Sequence, residues 1–346
     1  MKKNEDGIIK PRTLHILRML TKRHLKMIFA DHMRMMYTLM VPVVILVVYI
    51  LFLRKLELSS ISSAILQEGV KFEEGDALSR RISTLVDAWM MSGLLNISTI
   101  TISLQTNALI VEDKEHQITR DFVSSPINPN VLVISYFLYN AVITALLSLV
   151  VLFGTLIFFA CYGEFYVTAS DFFLMLGILL YNVLLSTLFT TFICIFLKKE
   201  SSLATVISVF SAAAGFLMGA YMPISMLPTG IHYFCAVFPF TYSCALSRFS
   251  YLRTPLSALT QYLTLHETEV LPKGLTAEEV TDVISSNFGY EIDFFGASRI
   301  SAGYSAVVVL VFLLLFLVLN IIFSGKLARV EPPKIRLPKK KDRESK

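Results

Sequence analysis

The sequence predicts an all-α integral membrane protein: six transmembrane helices, an N-terminal amphipathic interfacial helix, a re-entrant hairpin after the fifth span and a small extracellular lobe. Three observations carry that prediction. Of 346 residues, 55% are hydrophobic and only 16% charged, at a mean hydropathy of +0.65, whereas soluble domains are about one quarter charged. Six apolar runs reach or approach the roughly 20 residues that a helix needs to cross a bilayer core. The segments joining those runs divide the cations unevenly. Too little polar surface is available to cover a water-soluble enzyme of this length.

Residues 1–36 form a basic tail and an amphipathic helix. Over Leu14–Phe29, Leu14, Leu17, Leu25 and Ile28 share one face, while Arg18, Lys22 and Lys26 recur at i, i+4 and i+8 on the other. Such a helix lies in the headgroup layer, apolar face down. Its cations suit a plain lipid anchor or a contact with a cytoplasmic partner.

The spans are Tyr37–Leu53, Trp89–Ile110, Val131–Ala160, Phe172–Leu197, Ser202–Ala220 and Tyr304–Phe323, none with Asp, Glu, Lys, Arg or His. Residues 37–248 hold the first five, with an extracellular segment at 54–86, a cytoplasmic loop at 111–130 and the hairpin at 221–248. Gly230–Ser247 is also apolar, but His232 and Pro239 interrupt it just after a Pro-rich turn, which suits a re-entrant path better than a seventh span. Residues 249–302 make the extracellular lobe. There Thr276-Ala-Glu-Glu279 has capping-box spacing, Val280, Val283 and Ile284 give an apolar stripe, and Gly289 ends the helix. The sixth span occupies 303–325 and a basic tail 326–346. No cleavable signal peptide is evident.

Of the 31 Lys and Arg, 22 lie in 1–36, 111–130, 198–200 and 326–346, and 9 in 54–81 and 248–299. Acids run the other way, 11 against 15. The positive-inside rule then places both termini in the cytoplasm of a multi-pass plasma-membrane protein. The net charge of +5 is too mild to argue for nucleic acid, and membrane lipids are the expected partners. Cys161, Cys194, Cys235 and Cys244 form no C-x-x-C pair and read as free thiols, with no metal site.

Four further patterns bear on mechanism. The loop Val111–Pro126 is densely charged and suits either docking on a soluble subunit or a solvated turn. Prolines crowd Gly219–Pro228 and Phe238–Tyr242 at the outer face, shaping a gate or an irregular loop. In the second span Ser92, Asn96, Thr99, Ser103 and Asn107 make one polar face, for interhelical bonding or for lining a cavity. In the fifth, Ala204, Ser208, Ala212, Gly215 and Gly219 make a small-residue face, for packing within the subunit or across a dimer axis. Asp87 sits at the outer edge of the second span.

No Gly-x-x-x-x-Gly-Lys-Ser/Thr loop is present to bind ATP. A gradient-driven transporter keeps an ionisable group in the membrane despite a cost of roughly 2.5–3.5 kcal/mol on insertion scales, and the six spans carry none. Both absences fit a pump whose ATPase is another polypeptide.

At these segments the sequence resembles the membrane subunits of type-2 ABC exporters, the drug and polysaccharide export permeases. The likeness comprises the basic amphipathic helix, the acidic loop ending in Ser125-Pro126-Ile127, the Gly-x-Tyr-x-Pro-x-x-x-Leu-Pro turn, and Phe238-Pro239 followed by Arg248. It implies that Arg18, Lys22 and Lys26, with a coupling helix around Glu112–Val123 (Glu112, Asp113, Lys114, Glu115, Arg120 and Asp121), contact a cytoplasmic ATPase subunit. It implies a pathway lined by the second and fifth spans (Ser92, Asn96, Thr99, Ser103, Asn107 and Ser208) and an outer gate at Gly219, Tyr221, Pro223, Pro228 and Pro239. Gln117 stands where members often carry glycine. ATP and Mg are expected on the partner ATPase, with no cofactor on this chain, and a second permease copy or sibling permease completes the pathway. The expected activity is export of a hydrophobic or amphipathic compound such as a drug, antimicrobial peptide or lipid. The alternatives are polysaccharide or lipid export, and a membrane receptor or scaffold with a ligand-binding outer lobe.

Overall fold

The computed structural model describes residues 2–3, 9–10, 13–59, 76–119, 127–162, 167–222, 224, 227–271, 276–288, 290 and 300–327. Arg120, Asp121, Pro223, Gly289, residues 60–75 of the segment 54–86 and the tail from 328 onward lie outside the described residues. Apart from a two-residue ribbon pairing Lys2–Lys3 with Ile9–Lys10, the described chain is helical. In order come α1 (Thr13–Ala30), α2 (His32–Ser59), α3 (Ala77–Thr106), α4 (Ala108–Glu115) and α5 (Pro129–Tyr162). They are followed by α6 (Ala169–Phe196), α7 (Glu200–Leu217), α8 (Thr229–Val237) and α9 (Pro239–Leu265). The last are α10 (Glu267–Val270), α11 (Ala277–Asn287) and α12 (Ala302–Leu327).

All six predicted spans are helices long and apolar enough to cross a membrane: α2, α3, α5, α6, α7 and α12. Local chemistry sets their ends. Asp31 caps α2 by accepting from the Arg34 N–H at 2.9 Å. Thr168 and Asp171 form a reciprocal capping box at the start of α6. Thr276 and Glu279 do the same before α11, with bonds of 2.9 and 3.3 Å, as their spacing predicts. Toward its C-terminal end α2 loosens into a π-helical turn, Tyr49–Leu53. Tyr49 is buried there, and its hydroxyl donates to Asp87 at 2.7 Å while Arg54 grips the same carboxylate at 2.8 and 3.0 Å.

The bundle is arranged around α3, which packs against α2, α5, α6, α7 and α9. Its apolar window is 89% buried, against 17% for α2 and for α7. The reason is compositional. A helix carrying Ser, Thr and Asn along its length loses less by bonding to neighbours than by facing lipid. The face of α11 differs from expectation in one position. Ala277, Val280, Ile284 and Phe288 are buried, and Val283 points away at 45% exposure. Phe288 packs against Trp89 of α3, which seats α11 on the bundle.

Candidate functional site

At one end of the bundle α4 continues α3 after a one-residue turn at Asn107. Each of its last four charged side chains is committed within the chain. Glu112 accepts from Arg34 of α2 at 2.5 Å. Asp113, 1% exposed, accepts from Arg23 of α1 at 3.1 and 3.3 Å and from the Tyr136 hydroxyl of α5 at 2.6 Å. Lys114 donates to the carbonyls of Cys194, Ile195 and Leu197, at 2.7, 2.7 and 2.9 Å. These are the carbonyls that α6 leaves open at its C-terminus. Glu115 accepts from the Glu200 N–H at 2.7 Å, at the first turn of α7. Lys114 and Glu115, adjacent and opposite in charge, thus each meet the helix end whose dipole favours them. Beyond them His116, Gln117 and, in part, Ile118 remain accessible.

Gln117 lies at φ 62°, the left-handed region that glycine occupies freely and other residues enter at a cost. Gln117 thus takes a conformation that a glycine would hold without strain. The α4 segment closes on it through bonds from the His116 and Gln117 N–H groups to Glu112 and Lys114 carbonyls, at 2.9 and 3.1 Å.

Helix α1 docks on α5, and its buried line is Leu20, His24 and Ile28. Leu14, expected on the apolar face, is 74% exposed. The burial line is rotated because His24 stacks flat on Tyr136 at 4.4 Å and meets the edge of Tyr139 at 5.2 Å. Burial, with Arg23 beside it, lowers the imidazole to about 4, so it sits neutral in this aromatic slot. Arg18, Lys22 and Lys26 are exposed on the far side, together with Met19 and Met27. Among the described residues they make no ion pair.

The polar stripe of α3 is sealed rather than open. Ser92, Asn96, Thr99, Ser103 and Asn107 are 0–2% exposed. Asn96 accepts from Asn182 of α6 at 3.1 Å and from Ser243 of α9 at 2.9 Å. Ser103 shares a bond with Thr190 at 2.7 Å, and Asn107 donates to Thr190 and Thr191 at 2.8 and 3.2 Å. Asn140 of α5 reaches Ser103 at 3.0 Å. These groups tie α3, α5, α6 and α9 together, and in this structure the stripe serves interhelical bonding, the first of the two uses its spacing allows. The partners were legible too. Asn140, Thr144 and Ser148 in the third span, and Asn182, Ser186 and Thr190 in the fourth, recur at steps of four and are buried.

Helix α7 is the opposite case. Ala204, Ser208 and Ala212 are exposed, along with Ser201, Thr205, Val209 and Phe216, and the Ser208 hydroxyl turns back to the Ala204 carbonyl at 2.9 Å. Gly215 and Gly219 depart from that open face and are buried. A Cβ on Gly215 would lie 2.1 Å from the Tyr221 ring, and Gly219 turns the chain at φ 66° with Ile224 against it.

At this turn, at the opposite end of the bundle from α4, the Ala220 N–H returns to the Gly215 carbonyl at 2.7 Å, in the pattern of a Schellman cap. Arg248 of α9, 1% exposed, donates to the carbonyls of Met218 (3.2 Å) and Gly219, and its guanidinium lies 5.7 Å over the Trp89 ring. Burying a guanidinium is costly unless its donors are met; the open C-terminus of α7 supplies acceptors of the right sign. Pro228 precedes α8 and Pro239 opens α9, where the missing N–H is tolerated. Beyond Pro239, Phe240 packs edge-on against Phe189 of α6 at 5.1 Å.

A bundle of six apolar helices, with a charged platform at one end and a proline-rich double turn at the other, defines a multi-pass membrane protein. The family described as ABC-2 type transporter matches residues 16–252, more than half of the chain, which covers α1 to the middle of α9. The chain belongs to that family: it is the membrane-spanning permease component of an ABC transporter, whose ATPase is a separate subunit. No curated protein matches it at a significant level.

Proposed function

We propose that this permease serves an exporter, assembled from two permease copies or a sibling pair and two cytoplasmic ATPases that bind ATP and Mg. The observation that carries the reading is the inner platform. The charged side chains of α4 hold α1, α2, α6 and α7, while the cationic face of α1 (Arg18, Lys22, Lys26) stays open. An ATPase docking on that face and on the tip at His116–Ile118 gains a grip on most of the bundle at once. Within α4, Glu112, Asp113, Lys114 and Glu115 then act as internal couplers rather than direct docking contacts; Arg120 and Asp121, outside the described residues, remain proposed ATPase contacts on charge alone. Both termini lie on the ATPase side, in keeping with the cation distribution.

The open, uncharged face of α7 around Ser208 supports a pathway at a two-fold subunit interface suited to a hydrophobic or amphipathic compound. Residues 221–248 form a re-entrant hairpin, a reading supported by the contact of Phe240 with Phe189, only seven residues from the inner end of α6. Gly219, Tyr221, Pro223, Pro228 and Pro239 shape the outer gate, and α10 and α11 belong to the extracellular lobe. A tagged chain pulled from membranes should bring down an ABC ATPase and a second permease, and the Arg18→Glu/Lys22→Glu/Lys26→Glu variant should lose the ATPase while keeping the permease pair. Recovery of the ATPase at the unsubstituted level with that variant would remove the docking assignment.

A further inference from the structure

Helix α7 has an unusual pattern of attachment. Between its ends it leaves Ser201, Ala204, Thr205, Ser208, Ala212 and Phe216 exposed. At each end it is gripped by a charge of the sign its dipole favours, and both charges come from elsewhere in the chain. At the N-terminus its own capping residue, Lys199, provides no side-chain bond, and the Glu115 carboxylate of α4 accepts from the Glu200 N–H at 2.7 Å instead. At the C-terminus the carbonyls of Met218 and Gly219 accept from Arg248 of α9. Eighteen residues separate the two grips, about 27 Å of rigid rod at 1.5 Å per residue, close to the roughly 30 Å of a bilayer core.

We propose that α7 is a charge-pinned relay: displacement of α4 enters it at the Glu200 N–H and leaves it at Arg248, so that the outer end of α9 moves because α4 moves. The proposal rests on the reading that α4 answers to an ATPase. Three features favour transmission along this rod. Lys114, beside Glu115, holds the C-terminus of α6, so α4 cannot shift without carrying the α6–α7 connection. Gly219 admits no Cβ against Ile224, so the outer turn is close-packed where Arg248 grips it. Helix α9 runs outward from Arg248 to Leu265 and meets α11 through the bond between Thr260 and Thr281, at 3.2 Å. Arg248 and Glu115 are positioning residues in this scheme, acting on α7 rather than on the transported compound.

The test uses the complete permease–ATPase complex with two spin-label pairs. One pair, at Val150→Cys and Ser208→Cys, reports α7 against α5; the other, at Val150→Cys and Leu265→Cys, reports the outer end of α9. All three sites are exposed. Cys161 is replaced by serine, and the remaining three cysteines are buried. In the otherwise unsubstituted chain, ATP with vanadate should shift both distances. Glu200→Pro removes the N–H that Glu115 accepts, at a position where proline is well tolerated and behind a Lys199 already extended at φ −134°, ψ 142°. It should abolish both shifts with the ATPase still bound, whereas Glu200→Ala, which keeps the N–H, should preserve them. Arg248→Gln should keep the α7 shift and lose that of α9. Unchanged shifts in Glu200→Pro, or an α9 shift surviving Arg248→Gln, would overturn the relay and leave the transporter reading intact. A complex without an ATPase, or label pairs that ignore ATP and vanadate in the unsubstituted chain, would overturn both. Because Arg248 is buried and its replacement can hinder folding, the Glu200 pair decides the inner half of the relay on its own.

Discussion

Helices α3 and α7 both carry small and polar residues at helical spacing, and from sequence both are candidates to line a pathway. They meet opposite fates. The α3 stripe bonds neighbouring helices through Asn96, Ser103 and Asn107 and its own carbonyls through Ser92 and Thr99, and its apolar window is 89% buried; that of α7 is 17% buried and is held chiefly at its ends. The difference lies in the partners. Facing α3 are further stripes on α5 and α6 (Asn140, Thr144 and Ser148; Asn182, Ser186 and Thr190) and Ser243 of α9, so its hydrogen bonds close within the protomer. Among the described residues no stripe of that kind faces Ala204, Ser208 and Ala212, which are exposed. Small residues alone permit close approach without choosing the helix that approaches.

The comparison can be broken most directly by volume. A Cβ on Gly93 of α3 would lie 2.7 Å from the Ala220 Cβ. Gly93→Leu should therefore cost about 3 kcal/mol, the upper part of the range for overpacking, and lower the thermal midpoint in detergent. The matching change on α7, Ala212→Leu, should leave that midpoint nearly unmoved and weaken permease–permease association in cross-linking. Equal loss of midpoint from both would dissolve the distinction.

Acid tests a third attachment, that of α1, without touching either helix. Docked His24 has a pKa of about 4 against an ordinary 6.5, with Arg23, Asp113, Tyr136 and Tyr139 around it. Between those values the undocked imidazole binds a proton that the docked one refuses. The stability of docking is thus fully present above the ordinary value and lost as pH falls toward 4. At about 1.4 kcal/mol per unit the full loss is on the order of 3 kcal/mol. The protection of α1 amides, taken relative to the intrinsic exchange rate at each pH, should fall as pH drops from 7 to 5, and His24→Phe should flatten that fall.

A smaller effect is expected at mid-stripe. Asn96→Leu deprives Asn182 and Ser243 of a shared acceptor in a buried site, worth about 1–3 kcal/mol. Ser208→Leu, on the exposed α7 face, should stay within about 0.5 kcal/mol. Unfolding in graded denaturant, followed by circular dichroism, separates the two. The smallest expected change is favourable: Gln117→Gly relieves a left-handed non-glycine residue and should stabilise the α4 tip by about 0.5–1 kcal/mol, seen as slower proteolysis there.

Much of this architecture is written locally. Six charge-free runs, the Thr276–Glu279 capping box and the proline-rich outer turn need only the chain near them, because lipid and open helix ends impose the same demands wherever a span lies. The cation count likewise follows from loop composition. Less legible were the acids and bases at the inner end. Glu112, Asp113, Lys114 and Glu115 look like solvent-facing charges, since nothing within a few residues reveals that Arg34, Arg23, the end of α6 and the start of α7 converge on them. Arg248 was legible as a position and silent as to role, for the carbonyls that neutralise its burial belong to a helix about thirty residues upstream.

The sequence by itself determined that the chain has six helices long and apolar enough to cross a membrane, where its helices begin, and which faces are polar, small or cationic, because periodicity and hydropathy are properties of each segment alone. Only the tertiary structure decided which of those faces close on one another. That choice depends on groups far apart in sequence meeting at hydrogen-bond distance: it sealed the stripe of α3, left the face of α7 open, and placed one charge at each end of that helix.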